Sequence, residues 1–281
     1  MGTKLLTGLA AVAATAAAIA MFAVAIGSAG GCASILSIPE RSPDWCNRPG
    51  NVHDFCDDFD HADAGGAWQQ GVLPGTSLDF TTEGETPPNA AALGTAPQAL
   101  GSPTVVGIFK QFDDQKFDHV VVGIDVRFND ADLRAEAGLE SQLGFLLLED
   151  QDFCIGVVLT PGRIGMVFRA HQLDCTGVGN LPADAGEIID DAGLTAFAPV
   201  GPIPTLKQWV HIKLDVKRNA NGSGDVGFTM NYPGVLAPPQ IPAGYLTGNA
   251  PPLVALATSV VGPTGKIDVQ FDNVTIDFPK N

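Results

Sequence analysis

The sequence predicts an all-β protein built as a sandwich of antiparallel sheets, and two observations support this. From Phe55 onward, short apolar runs are separated by segments rich in Gly, Pro, Asn and Asp, which is the spacing of a sandwich or barrel. The clearest runs alternate apolar and polar residues, as strands do when one side is packed and the other faces solvent. The 281 residues show no internal repeat or break in composition, so we expect one large domain.

Two segments carry the strongest strand pattern. In His119–Phe128 and again in Gln208–Lys217, every second residue is apolar and the positions between hold the polar residues. The apolar run Leu143–Leu148 is predicted to be a central strand. Pro161-Gly162 is predicted to form a tight turn between two antiparallel strands.

The last predicted strand, Lys266–Phe278, changes its pattern half-way. Its apolar residues occupy one parity up to Phe271 and the opposite parity from Val274 onward. One extra residue at Asp272-Asn273, a β-bulge, would return both sets to the core. Bulges redirect side chains, so Asp272 is a candidate for a special role.

Three segments fall outside the strand pattern. Ala131–Ser141 is predicted to form one or two helical turns. Gly177–Pro204 and Tyr232–Pro252 are rich in Gly or Pro and are predicted to be long surface loops.

The chain is strongly acidic, which limits its partners. It has 31 Asp and Glu residues against 15 Lys and Arg residues, a formal net charge of −16. Phosphate contacts are made by clustered Lys and Arg, so a general nucleic-acid binder is excluded. With 45% hydrophobic residues, the chain is not a disordered one.

The N-terminus has the pattern of a bacterial export signal. Lys4 precedes an uncharged apolar stretch, and small residues lead to Cys32. That ending resembles a lipobox, which predicts a signal peptide over residues 1–31, a lipid on Cys32 and a Pro-rich tether over 32–54. Ala33 after the cysteine implies an outer-membrane lipoprotein of the cell envelope. A plain cleaved signal and an uncleaved anchor helix are the alternatives.

Four further cysteines, an even number in an exported chain, favour disulfides. Four cysteines allow three connectivities. Because Cys154 and Cys175 flank a predicted hairpin, we favour Cys154–Cys175 with Cys46–Cys56. A zinc site is the alternative, although the spacings are not the short paired ones of structural zinc.

Four segments together resemble concanavalin-A-like, laminin-G-like jelly rolls. They are Phe55–Asp60 with Trp68 nearby, Ala96–Leu100, Trp209–Leu214 and Val269–Val274. The resemblance implies a jelly-roll domain over residues 55–281, with the first and last strands paired. Related single-domain lipoproteins occur in myxobacteria. In laminarinase-like members of the fold, acids near the first strand and in the closing strand hold a structural calcium, which implies Asp58 and Asp272 as ligands here.

The predicted solvent face of His119–Phe128 carries His119, Asp125 and Arg127, which could line a ligand groove; a solvated or salt-bridged face is the alternative. Glycoside hydrolases of this fold carry paired carboxylates in the pattern E-x-D-x-x-E, which is missing. Asp125 beside Arg127 would be held ionised and would make a poor acid. None of the five histidines has a partner at ligand spacing, so all are interpreted as surface or packing residues.

These observations lead to the expectation of a non-catalytic, lipid-anchored cell-envelope protein that binds a glycan or a protein partner. A purely structural envelope lipoprotein and a glycoside hydrolase-like enzyme are the alternatives.

Overall fold

The structure is a computed structural model, and it describes most of the chain after residue 44. The described residues are 45–50, 52–60, 66–85, 89–98, 104–136, 139–149, 153–170, 181–182, 188–189, 195–235, 240–241, 243, 246 and 251–280. The predicted signal peptide, Cys32 and Cys175 lie outside them. Within these ranges, no helix is long and apolar enough to cross a membrane.

The described residues form a short 3₁₀ turn, Trp45–Asn47, and eighteen strands. In chain order the strands are β1 (Phe55–Asp57), β2 (Gln69–Val72), β3 (Thr76–Thr81), β4 (Ala90–Thr95), β5 (Thr104–Gln111), β6 (His119–Leu133), β7 (Ala135–Glu136), β8 (Leu139–Glu140), β9 (Gln142–Glu149), β10 (Phe153–Thr160), β11 (Arg163–Ala170), β12 (Leu181–Pro182), β13 (Ile188–Ile189), β14 (Thr195–Pro202), β15 (Trp209–Arg218), β16 (Gly224–Met230), β17 (Leu253–Val261) and β18 (Thr264–Asp277).

Two large antiparallel sheets form the sandwich. The seven-stranded sheet has the order β16-β15-β6-β18-β4-β3, with β1 paired to β18. The eight-stranded sheet has the order β13-β14-β11-β10-β9-β17-β5-β2, and a small third sheet joins β12, β8 and β7. The pairing of β1 with β18 confirms that the first and last strands meet. The predicted all-β sandwich is therefore confirmed.

The core lies between the two large sheets, and the strand alternation places it there. The apolar residues of β6 and β15 point inward and are fully or almost fully buried, namely Val120, Val122, Ile124, Val126, Phe128, Val210, Ile212, Leu214 and Val216. They pack in one cluster with apolar residues of β9, β10, β11 and β17 from the facing sheet. The polar residues of β6 and β15 are left on the outer side.

The predicted bulge in the last strand is present. The register between β18 and β6 shifts between Asp272 and Thr275, and Asn273 adopts a positive φ of 48°. Phe271 before the bulge and Val274 after it are both fully buried. The extra residue thus keeps both apolar sets in the core.

The N-terminal end of the domain is fastened to the closing strand. A disulfide joins Cys46 to Cys56, whose strand pairs with β18. His53 Nδ1 lies 2.8 Å from Asp277 Oδ2, so residues just before β1 contact the end of β18. This disulfide confirms one predicted pair and rules out zinc at those two cysteines. Cys154 is also disulfide-bonded.

Three predicted elements differ from the structure. Ala131–Ser141 contains no helical turn among its described residues, because β6 runs on to Leu133 and β7 and β8 follow. The predicted loop Gly177–Pro204 includes the strand β14. Pro199 and Gly201 lie within this strand, and such residues had suggested a loop. The described part of the segment Ala96–Leu100, residues 96–98, follows a strand rather than forming one, since β4 ends at Thr95.

Candidate functional site

The outer face of the seven-stranded sheet carries the candidate site, and strand register shows which residues are neighbours. One row across the sheet runs from Asp79 on β3 through Ala92 on β4 and Gln270 on β18 to Arg127 on β6 and Trp209 on β15. Adjacent strands lie about 4.8 Å apart, so this row extends roughly 19 Å across the sheet.

The next row contains a hydrogen-bonded chain centred on Asp125. His211 on β15 is the register partner of Asp125, and its Nδ1 lies 2.8 Å from Asp125 Oδ1. Asn273, placed by the bulge, donates from Nδ2 to Asp125 Oδ2 at 2.6 Å. An ionised carboxylate only accepts, so Nδ1 of His211 carries the proton and Nε2 is the basic nitrogen.

The exposure of this pair suits proton transfer. The Asp125 side chain is 14% exposed, whereas that of His211 is 46% exposed. The hydrogen bond to Asp125 raises the pKa of His211, and the negative charge of Asp125 adds to this, while burial and the nearby Lys213 oppose it. His211 is thus an oriented base with an accessible imidazole ring.

Arg127 is held in place by its neighbours on the same row. Its Nε donates to Gln270 Oε1 at 2.8 Å, and Nη2 donates to Gln270 and, at 2.9 Å, to Glu83. The guanidinium lies 5.0 Å from the ring centroid of Trp209. The Glu83 side chain is 71% exposed, so a solute carboxylate could replace it on Arg127.

Glu85 adds a second titratable group to this region. Burial raises the pKa of its carboxyl group, and the charge of Asp125 raises it further, while Arg127 opposes the shift. Its carboxyl group therefore holds a proton to higher pH than an ordinary Glu. A carboxyl group with a raised pKa near a base is the kind of pairing that acid–base catalysis uses.

A cavity of about 610 Å³ continues from this cluster over β18, β4 and β3. Its floor is made of small side chains, Ala92 and Gly94, which leave the space open. Its walls are lined by hydroxyl, amide and charged groups, among them Thr76, Ser77, Asp79, Thr81, Lys266, Asp268 and Gln270. Gln270 belongs to both the cavity and the Arg127 cluster.

Positive charge collects at the other end of the row. Lys207, Lys213 and Lys217 lie on or just before β15, where Asp215 pairs with His119 and Arg218 pairs with Asp118. The three lysines are exposed. Exposed lysines beside the cluster of an acidic protein indicate attraction for an anionic solute.

The predicted ligand residues lie on the expected face, but only two of them lie together. Asp125 and Arg127 belong to neighbouring rows of the cluster, about 7 Å apart along the strand. His119 lies further along β6 and pairs with Asp215 at 2.9 Å. Asp125 contacts His211 and Asn273 instead of Arg127.

Sequence reasoning missed His211 and Trp209. His211 is a surface residue, as expected of the histidines, but its pairing with Asp125 was not foreseen, because the two residues lie 86 positions apart in sequence. Both strands alternate polar and apolar residues, and pairing them in register would have shown that Asp125 faces His211. The registers of β6 and β15 were not deducible from spacing alone.

The two predicted metal ligands are both fully buried. Asp58 accepts hydrogen bonds from the backbone N–H of Cys46 and of Asp60, and Asp272 accepts one from Asn273. Within the described ranges, no group of three or more His, Cys, Asp or Glu side chains could hold a metal. Further ligands would have to be backbone carbonyls or water.

Comparison with known proteins gives similarity in fold only. No family model and no curated protein matches the chain by sequence. An endo-β-1,4-glucuronan lyase from the fungus Trichoderma reesei matches with a TM-score of 0.52 at 9% identity, covering 81% of this chain and 96% of that one. A PL-14 alginate lyase from Aplysia kurodai matches with a TM-score of 0.52 at 11% identity, covering 81% and 100%. The fold is thus that of the concanavalin-A-like jelly rolls.

These comparisons correct the expectation of a non-catalytic protein, and the expectation that it is not an enzyme is wrong: both neighbours are glycan-degrading enzymes. The expectation rested on the missing carboxylate pair of glycoside hydrolysis. Elimination beside a carboxylate needs other groups, a base and a cation that neutralises the carboxylate. His211 and Arg127 are groups of these two kinds.

Proposed function

We propose that this protein is an enzyme that cleaves a uronate-containing polysaccharide by β-elimination on the outer face of the seven-stranded sheet. The observation that carries the proposal is the Asn273–Asp125–His211 chain beside Arg127. It combines an oriented base with an oriented cation about 7 Å apart along the strands. The jelly-roll fold shared with two polysaccharide lyases supports it.

His211 acts as the base. Its Nε2 removes the ring proton next to the uronate carboxylate, and Asp125 stabilises the imidazolium that forms. The hydrogen bond from Asn273 keeps Asp125 in position. Because the 46% exposed His211 side chain is open to solvent, the proton is afterwards lost to water.

Arg127 makes that proton acidic enough to remove. Its guanidinium binds the uronate carboxylate, displacing the exposed Glu83, and stabilises the negative charge that develops as the proton leaves. Gln270 holds the guanidinium by accepting from Nε. Trp209, against the other side of Arg127, offers an aromatic surface to a sugar ring.

Glu85 supplies the proton for the leaving group. Burial raises the pKa of its carboxyl group, and in the proposed step this group donates a proton to the glycosidic oxygen as the C–O bond breaks and the ring double bond forms. The products are a new chain end and an unsaturated uronate, and no water is consumed.

Hydrolysis with Glu85 as acid is the second candidate, favoured by the same raised pKa. It would need a second free carboxylate. Both oxygens of Asp125 are already bonded, to His211 and to Asn273, which makes it a poor nucleophile. Elimination is therefore the stronger proposal.

The products distinguish the two reactions. The purified protein should release oligosaccharides with a terminal double bond, seen by ultraviolet absorbance and mass spectrometry, from a uronate polymer. Saturated reducing ends would support hydrolysis, and no cleavage across a panel of uronate polymers would contradict both.

We also propose a structural calcium near Asp58 and Asp272. The N–H of Asn89 donates to Asp60, next to Asp58. A Cβ on Gly84 would collide with the carbonyl oxygen of Asn89 and lie 3.0 Å from Asp272 Oδ2, so that carbonyl and carboxylate are close to each other. Oxygen donors of this kind suit calcium.

A melting temperature that falls on adding chelator and recovers with calcium is the expected result. The variant Asp272→Asn should remove the response. A melting temperature independent of both would contradict the calcium proposal.

Finally, we propose that the enzyme is exported and attached to the outer membrane by a lipid on Cys32. The Cys46–Cys56 disulfide supports export, because disulfides persist in oxidising compartments. Mass spectrometry of the mature protein should find a diacylglycerol on residue 32. An unmodified Cys32 would contradict the attachment.

A further inference from the structure

We propose that the substrate is a mixed polysaccharide, in which the uronate bound at Arg127 is followed by a neutral sugar over β4 and β3. This inference rests on the proposed function and adds the composition of the chain that fits the groove. The inference is based on the difference in charge between the two ends of the row that runs from Asp79 on β3 to Trp209 on β15.

The end of the row that lies in the cavity, over β4 and β3, repels a second uronate. Asp79 lies at the edge of the row, is exposed, and has no ion-pair partner among the described residues. The other two charges of the cavity, Lys266 and Asp268, pair with each other at 3.1 Å and cancel. The cavity therefore presents one uncompensated negative charge.

The rest of the cavity wall suits hydroxyl groups. Ser77 and Thr81 provide hydroxyls, and Gln270 Nε2 donates to Thr81 at 3.3 Å, whereas the Thr76 hydroxyl donates to the carbonyl of Leu73. Ala92 and Gly94 form a flat floor with room for a ring. A carboxylate oxygen of Asp79 can accept hydrogen bonds from sugar hydroxyls. These groups bind an uncharged sugar and offer a carboxylate no unpaired cation.

The β15 end has the opposite character. Lys207, Lys213 and Lys217 are exposed, and Lys213 is close enough to His211 to affect its pKa. A uronate is therefore attracted to the Arg127 end and repelled from the Asp79 end. Three strand spacings, roughly 14 Å, separate Arg127 from Asp79, which leaves room for a neighbouring sugar between them.

Two synthetic hexasaccharides with the same linkage test this inference. One consists of glucuronate throughout, and the other alternates glucuronate with glucose. We expect kcat/KM for the alternating chain to be at least about ten times higher, which is the effect of one like-charge contact in a partly screened groove. The variant Asp79→Lys should raise kcat/KM for the glucuronate chain and shrink this ratio.

The control is Asp114→Lys, which makes the same charge change on an exposed turn between β5 and β6 and should leave the ratio unchanged. Equal cleavage of the two chains, or a ratio that Asp79→Lys does not alter, would overturn the inference while leaving the proposed function standing.

If neither hexasaccharide is cleaved, calorimetric measurement of their binding tests the charge inference separately from the proposed function. Absence of cleavage counts against the proposed function. Tighter binding of the alternating chain, lost in Asp79→Lys, would then support the charge inference alone. Equal binding, or none, would overturn it.

Discussion

His211 is the residue on which the proposed chemistry depends most. Replacing it with Asn removes the base while keeping a polar side chain, and cleavage should fall by about 10² to 10⁴-fold. His119→Asn is a matched control, because His119 forms a similar pair with Asp215 on the same sheet face, outside the cluster. Initial rates on a uronate polymer measure both. Equal losses in the two variants would contradict the role of His211.

Asp125 sets the pH at which His211 works. The base must be neutral, so activity rises with pH through the pKa of His211, which Asp125 raises above its ordinary value. Asp125→Asn removes the negative charge and should move the acidic limb of the kcat/KM profile to lower pH, with a lower maximum rate. A limb that stays in place would show that a different group titrates.

The same pair gives stability a pH dependence of known sign. A raised pKa in the folded state means that the stabilisation is fully present below the unfolded-state pKa of His211. It is lost as pH rises through the folded-state pKa. Below that range the protein is therefore stabilised by this pair, but the proposed base, His211, is protonated.

Among the elements, β18 links the fold to the site. Its bulge keeps Phe271 and Val274 in the core and turns the side chain of Asn273 toward Asp125. Asn tolerates the positive φ of 48° better than most residues.

The variants Asn273→Ala and Asn273→Gly separate backbone strain from the lost hydrogen bond. Both remove the contact with Asp125, but only Ala is strained at this φ, so it should unfold about 1 to 2 kcal/mol more easily than Gly. Denaturant unfolding measures the difference. Equal stability of the two variants would contradict a strained backbone at this position.

The elements also show how far the sequence can be interpreted. The period-two patterns of β6 and β15 and the parity change in β18 predicted those strands, their buried sides and the bulge. The segment Ala131–Ser141 was predicted to be helical because its charged residues mask the continuation of β6. Periodicity alone could not predict the candidate site, because the site combines residues of β15 and β18, which pair with opposite sides of β6.

At the scale of the whole molecule, the sandwich closes where its two ends meet. β1 pairs with β18, and the Cys46–Cys56 disulfide fastens the preceding segment to β1. Closing this loop limits the freedom of the unfolded chain. Replacing both cysteines with Ala should therefore cost about 2 to 3 kcal/mol of unfolding free energy.

Denaturant unfolding of the double Ala variant measures that cost, with the oxidised wild-type protein for comparison. Because the disulfide lies outside the Arg127 and His211 clusters, cleavage by the folded variant should be unchanged. A stability equal to that of the oxidised wild type would contradict a stabilising closure.

The distribution of charge differs between the two ends of the candidate site. The chain has a net charge of −16, yet exposed lysines on and just before β15 lie next to the candidate catalytic cluster. Attraction to these lysines should weaken with salt, since exposed charges are screened over about 10 Å at 0.1 M. KM for a uronate polymer should therefore rise with ionic strength, while an unchanged KM would count against a role of these lysines in binding.

The most direct test of the central claim is the product formed from uronate-containing polysaccharides by the purified protein, with His211→Asn alongside. Unsaturated oligosaccharides from the wild type, with little or none from the variant, are the predicted result. Products without the double bond, or equal amounts of unsaturated product from both proteins, would contradict elimination by His211.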